Sequence, residues 1–149
     1  VGFVEALKRA DAKRVEESKR LIKLRDYFIH QILQKIPDAI VNGSLENRLP
    51  NNVHISIPQI EGESILLLLD QKGVEASTGS ACSAYDLKPS HVLLAIGQSP
   101  EYAHGSIRFS LGRSNHKKEI DEVMKILPQI VQHLKSLSAL TTRQYTYGK

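Results

Sequence analysis

The first 36 residues form the stretch that most restricts the possible folds, because they contain no proline and no glycine after Gly2. Apolar residues recur in this stretch with a period close to 3.6 residues, at Val15, Ile22, Phe28 or Ile29, Ile32 and Ile36. Pro37 then ends the pattern. A continuous helix over residues 1–36 would be roughly 50 Å long, which is more than a compact domain of this size requires. Its first half, up to Arg20, is highly charged, so we expect it to lie against another body.

The composition is that of one soluble globular domain. The chain has 149 residues, of which 41% are hydrophobic and 24% charged. No apolar run approaches the roughly 20 residues of a membrane-spanning helix, and the N-terminus does not resemble a secretory signal. A single cysteine excludes an internal disulfide and a multi-cysteine metal site. We therefore expect a cytoplasmic protein with no membrane association.

The net charge of +4 raises the alternative of a nucleic-acid-binding module. The basic residues are interleaved with acidic ones, as in Lys8–Arg20, and form no run of one sign. Such a pattern is typical of a solvated helix face, so direct binding of nucleic acid is not expected.

The middle of the chain alternates between predicted strands and helices. Ala39–Ser44 indicates a short strand and a turn, and Asn51–Pro58 alternates apolar and polar residues as a half-buried strand does. Gly62–Gly73 predicts a helix closed by a glycine in the left-handed conformation. Val74–Gly79 then predicts a strand that leads into the loop around Cys82.

The last third of the chain adds a helix, a strand and a further helix. Pro89–Gly97 predicts a helix with proline in its first turn. Gly105–Gly112 alternates as a strand that places Arg108 on the polar side. The final helix begins near Ser114, Pro128 should kink or interrupt it, and residues 138–149 are expected to form a polar surface tail. The whole chain, residues 1–149, is predicted to be a single small α+β domain: a small antiparallel or mixed sheet with helices packed on one side.

Three sequence blocks point to a known family. They are "STGSACSA" (Ser77–Ala84), "LKPSHVLLAIG" (Leu87–Gly97) and "AHGSIRFSLGR" (Ala103–Arg113), and Asn42–Ser64 and the opening helix add to the likeness. The chain resembles the C-terminal small domain of a cysteine desulfurase that depends on pyridoxal 5'-phosphate (PLP). The resemblance is to the iron–sulfur-cluster and nitrogenase-maturation group of the class V aminotransferase family. It implies the C-terminal domain of a fold-type I PLP enzyme.

The resemblance implies that Cys82 is the catalytic nucleophile. In this family a protein thiolate takes the sulfur of L-cysteine, which leaves alanine and a persulfide on the protein. Small residues around Cys82 would let the predicted mobile loop, residues 76–88, carry the sulfur to an acceptor. Cys82 could also make a transient, shared contact with iron on a scaffold partner. The alternative is an incidental loop thiol.

Arg108 matches the family's arginine that binds the substrate α-carboxylate. A planar guanidinium can hold a carboxylate through two parallel hydrogen bonds. The alternative is an arginine on a solvated sheet face. Arg113 is expected to serve structure, and all six histidines, at positions 30, 54, 91, 104, 116 and 133, are interpreted as structural or surface residues.

The family's cofactor lysine does not match this chain. "SNHK" at Ser114–Lys117 has the serine-x-histidine-lysine pattern, but it follows Cys82 and lacks the glycine-proline-lysine-glycine sequence of the family. The lysine is therefore expected upstream of Val1, on a large PLP-binding domain along which helix 1–36 would run. This chain alone is expected to bind no cofactor.

The resemblance leaves two other roles open. The chain could be a non-catalytic sulfur-carrier or docking module that accepts persulfide on Cys82 from a separate protein, or an aminotransferase-like domain in which Cys82 is incidental. As part of the complete enzyme, its expected partners are the large domain, L-cysteine, and an iron–sulfur scaffold or tRNA-thiolation acceptor. The complete enzyme is expected to be a homodimer.

Overall fold

The first helix, α1 (Gly2–Lys35), runs without a break for 34 residues, as the sequence predicts. It ends just before Pro37, because the residue preceding a proline is disfavoured in the helical conformation. Its buried residues all lie in the second half: Leu24, Arg25, Phe28, Ile29 and Ile32. The first 16 residues are exposed, so this half of α1 extends away from the core.

The computed structural model describes residues 1–78 and 89–146, with side chains described as far as Ser138. After α1 these residues form strands β1 (Ile40–Val41) and β2 (Asn52–Ser56), helices α2 (Gly62–Asp70), α3 (His91–Ala95) and α4 (Pro100–His104), strand β3 (Ser106–Ser110) and helix α5 (Lys117–Thr146).

The three strands form an antiparallel sheet in the order β1-β2-β3. In the register of β2 and β3, Val53 pairs with Phe109 and Ile55 with Ile107. All four side chains are buried in the main core cluster, together with residues of α1, α2 and α5. The ring of Phe28 from α1 meets Phe109 edge to face, with 5.1 Å between centroids. The prediction of a small α+β sheet with helices packed on its apolar side is confirmed.

The prediction of a strand at Val74–Gly79 was wrong for residues 74–76, which are not in a strand; Gly79 lies outside the described residues. Only Ser77 pairs with β3, in an isolated bridge to Arg108. Gly73 adopts a left-handed φ of 74°, and the N–H of Val74 donates to the carbonyl oxygen of Leu69 at 3.0 Å. This turn holds the chain against the end of α2, so pairing with β3 begins only at Ser77.

Of the two outcomes predicted for Pro128, a kink or an interruption, the interruption was wrong, because α5 is one helix from Lys117 to Thr146. Proline has no N–H to donate to the carbonyl oxygen of Met124, four residues earlier. Lys35 Nζ donates to that oxygen at 3.2 Å, so α1 supplies the missing donor. The helix also continues past residue 138, where the sequence predicts a polar tail.

The segment before β3 differs from the sequence prediction in two ways. Helix α3 has only five residues, and α4 was not predicted. Ser99 caps α4 by accepting a hydrogen bond from the N–H of Tyr102 at 3.4 Å, and Pro100 occupies its first turn. Among the residues with described coordinates, no helix is both long and apolar enough to cross a membrane.

Gly105, which directly precedes β3, provides a test of this packing. A Cβ atom at this position would overlap the carbonyl oxygen of Ile57 and press on that of Ile60. We expect Gly105→Ala to lower the free energy of unfolding by at least about 2 kcal/mol, measured by urea denaturation. Gly112, at the other end of β3, is the matched control: a Cβ there meets only Asn115 Oδ1, at 3.6 Å. Equal losses in the two variants would contradict the packing described.

Candidate functional site

Arg108 lies in the middle of β3, on the face of the sheet opposite the helices. Its Cα partner across the sheet is His54 in β2. On the other side of β3, the N–H of Arg108 donates to the carbonyl oxygen of Ser77 at 2.7 Å, and the N–H of Ser77 donates back at 3.0 Å. Ser77, Arg108 and His54 therefore form a row across one face, because directly paired residues share a face. The predicted polar-side position of Arg108 is confirmed.

The guanidinium of Arg108 has no acidic partner among the residues described. Its Nε is buried and makes no hydrogen bond within that part of the chain. A buried polar group without a partner costs free energy, and such groups are rare in folded proteins. A negatively charged group from outside the described residues would satisfy it.

Arg25, a buried arginine of α1, shows what an internally satisfied guanidinium looks like in this protein. Arg25 forms an ion pair with Asp26 at 2.8 Å, and its Nη1 donates to the carbonyl oxygen of Leu49 at 3.2 Å. Arg25 therefore serves the fold. Arg108 differs because its side chain is partly buried and yet is left without a described partner.

His54 shares this polar face with Arg108, and burial together with the cationic surroundings keeps its imidazole uncharged. Its Nε2 is buried and has no hydrogen-bond partner in the described part of the chain. Burial, and then the nearby guanidinium groups of Arg108 and Arg48, lower the pKa of His54 from its ordinary value to about 4. His54 is therefore neutral at pH 7. Sequence analysis interpreted this residue as structural or surface, and the strand alternation already placed it on the same side as the polar residues.

Arg48 is held by the loop between β1 and β2. Its Nε donates to the carbonyl oxygen of Ser44 at 2.9 Å and its Nη1 to that of Asn52 at 3.2 Å. Burial, followed by the charge of Arg25, lowers the pKa of Arg48. Its donors are largely used by the backbone, so Arg108 is the arginine on this face that remains available for a ligand.

The turn after β3 is fixed from α1. The guanidinium of Arg20 donates to the carbonyl oxygens of Asn115, Gly112 and Arg113 at 2.8, 3.2 and 3.1 Å. Asn115 Oδ1 accepts the N–H of Gly112 at 2.7 Å. These bonds hold the end of β3, and hence the row that contains Arg108, to the long helix. Sequence analysis missed Arg20, since only the folded chain brings it to this turn.

Cys82 lies outside the described residues, so its position relative to Arg108 is not given by the structure. Covalent geometry nevertheless limits it. The backbone of Ser77 is hydrogen-bonded to that of Arg108, and Cys82 follows Ser77 by five residues in the chain. At about 3.5 Å per residue, its Cα can lie no more than about 18 Å from that of Ser77.

Lys117 does not fit the role of a cofactor-binding lysine. Its Nζ forms an ion pair with Asp121 at 2.7 Å and lies 4.4 Å from the centre of the Tyr27 ring. The hydrogen bond to Asp121, and then that to Tyr27, raises the pKa of Lys117. A lysine that forms an imine needs a lowered pKa. We therefore derive no step through PLP from this segment.

No cluster of three or more histidine, cysteine, aspartate or glutamate side chains suited to a metal ion occurs within residues 1–78 and 89–138. The expected transient iron contact of Cys82 concerns a residue outside these ranges and stays a prediction.

The lowered pKa of His54 predicts a dependence of stability on pH. Because its folded-state pKa is about 4 and the ordinary value is 6.5, the unfolded chain takes up the proton first. The contribution of neutral His54 to stability is complete above about pH 6.5 and is lost as the pH falls toward 4. An NMR titration of the imidazole should give a midpoint near 4, and His54→Gln should reduce the loss of unfolding free energy between pH 6.5 and 4. A midpoint near 6.5 would contradict this environment.

Comparison with known proteins places this geometry in a family. A family model described as aminotransferase class-V matches residues 1–123. The chain is 48% identical over 145 residues to the cysteine desulfurase IscS of Methanosarcina thermophila. The aligned region covers 97% of this chain and 36% of that protein. It is 47% identical over 138 residues to the cysteine desulfurase IscS of Dictyoglomus turgidum (strain DSM 6724 / Z-1310). That aligned region covers 93% of this chain and 35% of the relative.

Solved structures agree with the sequence comparison. A NifS-like protein superposes with a TM-score of 0.75 at 30% identity, over 87% of this chain and 32% of its own. A NifS-like protein from Rickettsia africae gives a TM-score of 0.63 at 27% identity, over 77% of this chain and 29% of its own. The chain thus spans about a third of the length of these relatives. The resemblance to cysteine desulfurases is confirmed, and the chain belongs to the class-V aminotransferase family.

Proposed function

We propose that this chain is the part of a cysteine desulfurase that binds the carboxylate of L-cysteine through Arg108 and receives its sulfur on Cys82. The observation that carries the proposal is the guanidinium of Arg108, which has no acidic partner among the described residues. The likeness to proteins named cysteine desulfurase over 97% of the chain supports the same reading.

Arg108 suits a substrate carboxylate for geometric reasons. A guanidinium presents its N–H groups in a rigid fork that can bind both oxygens of one carboxylate, which fixes the orientation of the amino acid. The neighbouring His54 is neutral at pH 7 and offers no competing charge. The backbone position of Arg108 within the sheet is fixed, because β3 pairs with Ser77 on one side and with β2 on the other.

Cys82 is proposed as the sulfur acceptor. When the Cys82 thiolate bonds to the sulfur of L-cysteine, the bond between that sulfur and the substrate Cβ breaks, and its electron pair stays with the carbon, which takes up a proton to give alanine. The sulfur is then held as a persulfide, which can pass it on to a further thiolate. The chain between them keeps the Cα atom of Cys82 within about 18 Å of that of Ser77, and Ser77 is hydrogen-bonded to Arg108. This distance is short enough for Cys82 to approach a substrate bound at Arg108 and long enough to leave it.

The rest of the enzyme would supply the remaining chemistry. PLP, which acts as an electron sink, belongs in this proposal to a large domain with its own lysine. The exposed half of α1, with Phe3 at 80% and Leu7 at 58% exposure, offers that domain an apolar surface. The complete enzyme is proposed to be a cytoplasmic homodimer that delivers sulfur to an iron–sulfur scaffold or a tRNA-thiolation acceptor.

The second candidate, a non-catalytic sulfur carrier, is not favoured. A carrier accepts persulfide sulfur from another protein and has no need for a group that binds a free amino acid. A partly buried arginine without a described partner costs free energy, and that cost is better explained by a bound carboxylate.

Substitution of Arg108 tests the carboxylate assignment. In the complete enzyme that contains this chain, Arg108→Lys should raise the KM for L-cysteine about 100-fold, because lysine cannot form the two parallel hydrogen bonds. Alanine production at varied cysteine concentrations measures it. The matched control is Arg113→Lys: that side chain is exposed, and the hydrogen bond that Arg113 makes to the described residues uses its backbone carbonyl, so KM should stay within about twofold. A wild-type KM in Arg108→Lys would refute the assignment.

Substitution of the thiol tests the sulfur step. Cys82→Ser should abolish the protein persulfide and the turnover of cysteine to alanine. The persulfide is measured as a mass increase of ~32 Da, which is one sulfur atom. Persulfide at another residue in this variant would contradict the role of Cys82.

The isolated chain provides a test of the cofactor assignment. Borohydride reduction in the presence of PLP should not label Lys117 stoichiometrically, because its ion pair with Asp121 raises its pKa and keeps it protonated. Peptide mass mapping measures the labelling, and Lys117→Arg gives the background. Labelling of Lys117 at one PLP per chain would overturn the exclusion.

A further inference from the structure

Two buried polar atoms without described partners belong to residues that face each other across the sheet. They are Nε2 of His54 and Nε of Arg108, and their residues are Cα partners in the register of β2 and β3. Within the described side chains these are the two buried nitrogen or oxygen atoms that lack a hydrogen bond. Most buried polar groups in folded proteins form hydrogen bonds. Two unsatisfied atoms on directly paired residues are therefore not expected to be a coincidence.

The strand geometry brings these two side chains close together. The N–H and C=O groups of Arg108 point away from β2 and bond to Ser77. His54 and Arg108 therefore occupy a non-hydrogen-bonded pair of the β2–β3 ladder, where Cα atoms are about 4.5 Å apart and the side chains are closest. A hydrogen bond between Nε of Arg108 and Nε2 of His54 would satisfy both of these buried atoms.

The charges around His54 favour the protonation state that such a bond requires. The cations that lower its pKa are Arg108 on β3 and Arg48 in the loop before β2. Both oppose a second positive charge on the imidazole. A neutral imidazole with its proton on Nδ1 carries a lone pair on Nε2, which can accept a hydrogen bond, whereas a protonated imidazole can only donate.

We propose that His54 is a positioning residue for Arg108: its Nε2 accepts the hydrogen of Arg108 Nε, so that the two Nη nitrogens face the substrate carboxylate. This inference rests on the proposed function of Arg108. A guanidinium can bind a carboxylate through its two Nη groups or through Nε and one Nη. Occupation of Nε by His54 selects the first mode and thereby sets the direction from which L-cysteine is held.

Three substitutions at His54 separate this role from a merely structural one. In the complete enzyme, His54→Leu removes the acceptor, and His54→Asn places its amide oxygen too close to the backbone, near the position of Nδ1. His54→Gln extends an amide oxygen to about the position of Nε2. We expect KM for L-cysteine to rise about tenfold in His54→Leu and His54→Asn, with kcat within about twofold, and to stay within about twofold of wild type in His54→Gln.

The outcomes discriminate between the hypotheses. If His54→Gln raises KM as much as His54→Leu does, or if KM follows the unfolding free energies of the variants, the positioning role is wrong. If Arg108→Lys raises KM while no His54 variant does, only this inference fails. If Arg108→Lys leaves KM unchanged, the proposed function itself fails.

A measurement on the unsubstituted protein covers the case in which a variant does not fold. Long-range ¹H–¹⁵N NMR correlation spectra of the imidazole report which ring nitrogen carries the proton. We expect the proton of His54 on Nδ1 and Nε2 as the acceptor at pH 7. A proton on Nε2 would overturn the proposal, because that atom could then accept no bond from Arg108.

Discussion

The antiparallel register between β2 and β3 is the constraint on which the rest of the structure depends. It pairs Val53 with Phe109 and His54 with Arg108. Because side chains alternate between the two faces of a strand, a shift by one residue would expose the apolar pair and bury the polar one. The burial of Phe109 against Phe28 of α1 thus stabilises the fold and at the same time determines on which face Arg108 lies.

Structural and functional arginines are distinguished in this protein by whether the chain itself satisfies them. Arg20 and Arg25 end on backbone carbonyls and neighbouring carboxylates, so each connects distant segments and its charge is compensated locally. Arg108 has no such described partner. The free energy cost of leaving a guanidinium in this state is the physical argument that it serves a ligand, since folding alone would favour a compensated or an apolar residue at the site.

Much of this site could be predicted from local sequence, but not all of it. The alternation in Gly105–Gly112 correctly predicted the side of the sheet on which Arg108 lies, and Pro37 correctly predicted where α1 ends. The interruption at Pro128 was predicted wrongly, because the donor that replaces its missing N–H is Lys35, from a distant part of the chain. The role proposed for His54 was not predicted, since strand alternation indicates a face and says nothing about the residue opposite.

The sequence by itself determined the longest helices, the strands β2 and β3 with their apolar faces, and the family, because periodicity and motif spacing are properties of neighbouring residues. Only the tertiary structure decided that His54 lies opposite Arg108 and that Ser77 borders the same strand. It also decided that Lys117 Nζ lies over the ring of Tyr27. These facts depend on strand register and on contacts between segments far apart in the chain, which follow from how the whole core packs.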